Sequence, residues 1–229
     1  MAERLVLDRR LVNLLTSCRL YFDQTEHGIS RLFGNPSQQL SDIKTTKNTL
    51  YDSCFGYRVM EAIRNHVQHS GLPVHVINYQ MRHRDTDGFD YIEFTIGPES
   101  EVSTFAENPK FKVSVLKELL DAGKKIDLRR PVREYVSCII QLHDKLRETI
   151  GNQLRPARFI YQGSISEFSI REGQEIQFPC LMQVNEDGTT NEEIALIGDF
   201  LDYYDALYKK NAVNKNLQQS VASNSDHKA

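Results

Sequence analysis

Apolar residues recur at three- and four-residue steps over residues 3–33, where Leu7, Leu11, Leu14, Leu15, Cys18, Tyr21 and Phe22 share one stripe. That spacing predicts one long amphipathic helix. Gly34-Asn35-Pro36 stops it, and Ser37 can cap a second helix with Gln38 and Gln39 in its first turn. The second helix is expected over residues 38–70, with Ile43, Thr46, Leu50, Cys54, Val59, Ile63 and Val67 on its stripe. Gly71 and Pro73 end it. The period then drops to two. Residues 74–82 and 89–96 are rich in β-branched and aromatic side chains, and Arg84 through Gly88 read as the hairpin turn between them. Residues 99–109 read as loop, and residues 110–123 as a short helix stopped by Gly123. A third long helix opens at Asp127–Pro131 and runs to about residue 150, where Gly151 and Asn152 are expected to close it. Strands are expected at 157–162, 166–170 and 176–184, with a turn at Glu186-Asp187-Gly188. A helix over 191–209 and a polar, disordered tail over 211–229 complete the reading. The fold class is mainly α: a helical bundle over 1–152 with a β-hairpin at 74–96. A small mixed α+β extension at 153–210 is expected to pack on the same domain.

Composition narrows the class. The 229 residues are 40% hydrophobic and 26% charged, which is ordinary globular usage, and a chain of this length can build a core without a metal or disulfide. The formal net charge of -3 argues against a strongly basic, sequence-independent nucleic-acid coat. No apolar run approaches the roughly 20 residues of a membrane span, and MAERLVLDRR has no apolar core of a secretory leader. Cys18, Cys54, Cys138 and Cys180 lie far apart without a C-x-x-C, so free thiols in a reducing cytoplasm are expected.

The candidate chemistry lies in Arg64-Asn65-His66-Val67-Gln68-His69, the last turns of the second helix. An arginine and a histidine can cleave RNA without a metal. The histidine moves a proton to or from the 2′-hydroxyl or the leaving 5′-oxygen. The permanently charged arginine stabilises the phosphorane. The vicinal 2′-hydroxyl is the nucleophile, so the products would be a 2′,3′-cyclic phosphate and a 5′-hydroxyl. Arg64 and His69 lie about 140° apart around a regular helix, whereas Asn65 and His69, at i and i+4, share a face. A dimer that juxtaposes two such helix ends would ease convergence.

With 16 arginines and 7 histidines, an Arg and His four to six residues apart arises by chance roughly 1.5 times in such a chain. Requiring one of the 13 asparagines directly after the arginine lowers that to roughly 0.1. Arg64, Asn65 and His69 so spaced near a helix end resemble the HEPN superfamily, whose motif is R-x(4–6)-H with a polar residue after the arginine. The resemblance covers residues 3–70 and 110–150. It implies a HEPN-like helical bundle and a metal-independent ribonuclease of bacterial defence or toxin–antitoxin response. It also implies a homodimer with facing motifs, and an antitoxin or nucleotidyltransferase as a possible partner. In that reading Arg64, Asn65 and His69 are catalytic, RNA is the substrate and no cofactor is needed. HEPN-like domains also serve as binding or dimerisation modules, which is the rival within the same fold, and a structural or interaction protein with an accidental motif is the rival outside it.

Other residues extend the site. His66 and the cations Lys124, Lys125, Arg129 and Arg130 are candidate RNA contacts. The cation cluster, with Arg133, surrounds the start of the third long helix, where positive charge opposes the helix dipole and a phosphate would accept it. Arg82-His83-Arg84 reads as a solvated turn beside Asp85, Asp87 and Asp90. His66, His69 and His75 make at most half a metal site, with no carboxylate cluster at useful spacing. Phosphate-loop, dinucleotide, nucleophile-elbow and H-E-x-x-H motifs are absent from the sequence.

Overall fold

The computed structural model describes residues 2–86, 89–172 and 180–210. They form seven helices and five strands in two compact units, one ending at Lys145 and the other beginning at Leu146. The mainly α expectation holds at that level. The hairpin tip at Asp87-Gly88 and the tail at 211–229 lie outside the described residues.

In the first unit, α1 (Ala2–Phe33) buries Leu11, Leu15, Cys18, Phe22 and Ile29 at the predicted spacing. Gly34, at φ 89°, follows it, and the Ser37 hydroxyl accepts from the Leu40 N–H to cap α2 (Gln38–Ser53). The single helix expected over 38–70 is two. Cys54 takes an extended conformation, and its N–H still closes α2 on the Leu50 carbonyl. A new helix, α3 (Phe55–His69), then starts. The break exists because Gly56 sits hard against the start of another helix, α6 (Arg129–Glu172). The Gly56 N–H donates to Glu134 Oε2 at 2.9 Å, and a Cβ on Gly56 would lie 2.5 Å from Glu134 Cβ. Phe22, Tyr57 and Tyr135 make the aromatic centre, with Phe22 and Tyr57 stacked at 5.8 Å and Tyr57 and Tyr135 edge-on at 5.2 Å.

The hairpin forms as predicted from β1 (Val76–Thr86) and β2 (Phe89–Glu101), longer than the sequence pattern indicates. Tyr79 faces Ile96, Met81 faces Phe94 and His83 faces Ile92 across the ladder, and all six are exposed. The segment expected as loop at 99–109 instead holds the end of β2 and a short helix, α4 (Val102–Ala106). Phe105 of α4 is fully buried and stacks on Phe111 at 4.9 Å, so burial of two aromatic rings organises the segment. α5 (Val113–Ala122) ends at Gly123, and β3 (Lys125–Asp127) adds to the β2 edge. β1 is one edge of this three-stranded sheet, and the three-residue β3 is the other.

α6 does not close at Gly151-Asn152. It continues for 44 residues through Pro156, so the strands expected at 157–162 and 166–170 are helix. An interior Gly costs a helix only about 1 kcal/mol, too little to stop one that is already propagating. In the second unit, β4 (Cys180–Val184) pairs with β5 (Thr190–Ala195) around a turn with Gly188 at φ 81°. Residues 191–195 are thus strand rather than helix, because they complete that hairpin. α7 (Gly198–Lys210) follows, joined to α6 by a bidentate Arg158–Asp205 pair.

Candidate functional site

α3 is amphipathic, and Val59, Met60, Ile63 and His66 bury its inner face at three- and four-residue steps. The helix ends when the Ser70 N–H, at 2.8 Å, and the Gly71 N–H, at 3.4 Å, both reach back to the His66 carbonyl. This end carries the predicted motif.

Arg64 is held from two sides. Its Nη2 donates to Asn65 Oδ1 at 2.9 Å, and its Nε lies 3.4 Å from Glu61 Oε2 in an ion pair without hydrogen-bond alignment. Glu61 is itself fixed, because its other oxygen accepts from the buried Tyr135 hydroxyl of α6 at 2.7 Å. Burial and the Glu61 charge push the Tyr135 phenol far above its ordinary range, so it remains a donor. Asn65 and His69 are exposed, while the Arg64 side chain is 17% exposed. Sequence reasoning missed Glu61 and Tyr135. The i,i+3 spacing of Glu61 and Arg64 was available as a signal, but the tertiary partner was not.

The two histidines of the motif part company. His69 faces solvent, whereas His66 is only 2% exposed. It packs edge-on to Phe105 at 5.0 Å and meets Asn108 at 3.1 Å through Nδ1. Burial, with a smaller contribution from His75, lowers its pKa and favours the neutral ring. His66 therefore lies beneath the surface, not on the open face expected of an RNA contact. It forms part of the wall of a pocket of about 480 Å³ at the α3 end, shared with Arg4, Gly71, His75, Glu107 and Asn108. Neither Arg64 nor His69 lines that pocket.

The cation cluster is partly neutralised. Arg129 grips Asp127 through Nε and Nη2, and Arg130 reaches Glu134 at 2.7 Å. The Asp127 carboxyl sits below its ordinary range: its hydrogen bonds from Arg129 outweigh the opposing cost of burial. Lys124, Lys125, Arg130 and Arg133 are exposed, Arg130 even while paired with Glu134. Arg82 and His83 are exposed on β1.

A thiol pair was not legible from spacing. Cys54, between α2 and α3, is electrostatically coupled to Cys138 of α6. The neighbouring Cys138 thiol lowers the Cys54 thiol below its ordinary range, with burial opposing, while Cys138 is pushed up as the proton-holding partner. None of the four cysteines is in a disulfide.

Among the described residues no group of three His, Cys, Asp or Glu side chains is placed to hold a metal ion, and no helix is long and apolar enough to cross a membrane. Comparison of the chain with protein-family models, with curated proteins and with solved structures found no match.

Proposed function

We propose that this chain is a metal-independent endoribonuclease of the HEPN type, acting in the cytoplasm in bacterial defence or a toxin–antitoxin response. The observation that carries the reading is the α3 end itself, where an exposed histidine follows an arginine already oriented by Glu61 and Asn65. Preorganised charge is the form in which an arginine contributes most to a phosphorane, because no reorganisation is needed at the moment of reaction.

In the proposed reaction the 2′-hydroxyl oxygen attacks phosphorus and the bond to the 5′-oxygen breaks. His69 moves the proton, Arg64 stabilises the charge on the non-bridging oxygens, and Asn65 holds the guanidinium. Lys124 and Lys125 would contact flanking phosphates. Because Arg64 and His69 point about 140° apart around α3, a homodimer that brings two α3 ends together would supply both groups to one phosphodiester.

The test is cleavage of single-stranded RNA by purified protein in EDTA, beside His69→Ala. Cleavage that persists in the chelator, leaves 2′,3′-cyclic phosphate ends and falls at least about 100-fold in the variant is expected, since general acid–base catalysis contributes about 10²–10⁴-fold. Equal cleavage by both proteins removes His69 from the reaction. Absence of cleavage by either favours a binding or dimerisation module, with an antitoxin or nucleotidyltransferase sought as a co-purifying partner.

A further inference from the structure

The pocket at the α3 end holds an unanswered donor. Asn108 Oδ1 accepts the Lys110 N–H at 3.0 Å, which fixes the side-chain amide and turns its Nδ2 toward His66 Nδ1 at 3.1 Å. Nδ1 is then the acceptor nitrogen, and the neutral ring carries its proton on Nε2. Nε2 is buried and has no hydrogen-bond partner. It points toward Gly71, where an added Cβ would lie 3.7 Å away, and both residues line the pocket. His75 cannot answer it. Its Nδ1 accepts the Glu101 N–H at 2.8 Å and its Nε2 pairs with the Leu72 carbonyl at 3.1 Å. A buried donor left unpaired is costly, so the pocket is built for an oxygen that it does not itself supply.

The surroundings define that oxygen. The helix C-terminus bears partial negative charge, and the exposed Glu107 carboxylate borders the same pocket. Arg4 also lines the pocket and offsets the Glu107 charge, so the lining favours neither ion, and one neutral donor on the floor would not offset the desolvation of a full charge. A carbonyl oxygen suits the floor, and a neighbouring N–H suits Glu107. The volume of about 480 Å³ lies in the usual range for small-ligand sites.

We infer that this pocket receives the keto–imino edge of a nucleobase, uracil or guanine, with His66 Nε2–H donating to the keto oxygen and Glu107 accepting from the ring N–H. The choice of a nucleobase rests on the ribonuclease reading, and the need for an uncharged oxygen acceptor does not. Adenine and cytosine lack a keto oxygen beside a ring N–H, so the pocket would prefer U and G over A and C.

The test titrates uridine, then adenosine, into full-length protein carrying ¹⁵N-histidine and follows the His66 Nε2 resonance. Uridine is expected to shift it saturably, with adenosine at least tenfold weaker. Gly71→Val puts a branched side chain over Nε2 from an exposed position and is expected to weaken uridine at least tenfold. His66→Phe, which keeps a ring against Phe105, is expected to do the same. An unmoved resonance at saturating uridine, or equal binding of adenosine, overturns the inference. RNA cleavage measured on the same sample separates the two readings. Cleavage without a uridine shift removes the base pocket alone, and a uridine shift without cleavage removes the nuclease alone.

Discussion

His66 and His69 sit less than one helical turn apart, yet one faces Phe105 and the other water. The division was half legible. His66 follows Val59 and Ile63 at helical spacing, so its burial is implied by the same stripe that predicts the helix, but a polar residue on that stripe was read for its charge. Its partner Asn108 comes from a segment expected to be loop, which no local pattern could supply. The Cys54–Cys138 pair makes the same point, because tertiary packing alone brings those thiols together. Its consequence is measurable. Coupling to Cys138 holds the Cys54 thiol below its ordinary range, so its thiolate is populated at lower pH than that of an ordinary thiol. Iodoacetamide labelling of half-buried Cys54 is expected to reach half its maximal rate at lower pH than that of an ordinary thiol, and Cys138→Ala to move that midpoint up. A midpoint in the native protein that Cys138→Ala leaves unchanged would mean that Cys138 does not tune Cys54.

At the scale of elements, amphipathic periodicity located α1, α2, α3, the hairpin and the start of α6, and it failed where tertiary pairing outweighed local preference. Residues 191–195 carry a pattern equally good for a helix face, and only β4 across the turn makes them strand. Gly151-Asn152 reads as a stop because both residues favour turns, but a helix already formed passes through them. The break at Cys54 was invisible because the stripe continues across it; its cause is the close approach of Gly56 to α6. A methyl group there would lie 2.5 Å from Glu134 Cβ and 2.9 Å from the Pro131 carbonyl. Gly56→Ala is therefore expected to destabilise the fold by about 1–3 kcal/mol, the usual penalty for overpacking, and to lower the thermal midpoint by several degrees. An unchanged midpoint would show that α3 and α6 separate easily. The same substitution would disturb Arg64 at a distance, since Tyr135 of α6 fixes Glu61.

At the scale of the whole chain, burial is uneven. The first unit buries side chains from α1 through α6, whereas Leu196 is the one residue below a tenth exposed among those described in the second. Phe159, Leu181, Met182, Val184, Phe200 and Tyr203 there remain exposed. Local opening free energy follows buried apolar contact, so amide hydrogens of β4, β5 and α7 are expected to exchange at least about 100-fold faster than those of α3. Equal protection would mean that the second unit is covered by something other than its own side chains. The sequence predicts an extension that packs on the same domain, and its poverty of core is not legible there, because apolar content counts residues and not what they touch. The hairpin of the first unit has its own consequence, in colloidal terms. Tyr79, Met81, Ile92, Phe94 and Ile96 form an oily ribbon beside the open β1 edge, and a net charge of only -3 gives two approaching molecules little mutual repulsion. Salt weakens that repulsion further while leaving the ribbon as sticky as before, so the second virial coefficient of this protein should turn negative with added salt sooner than its modest hydrophobic content suggests.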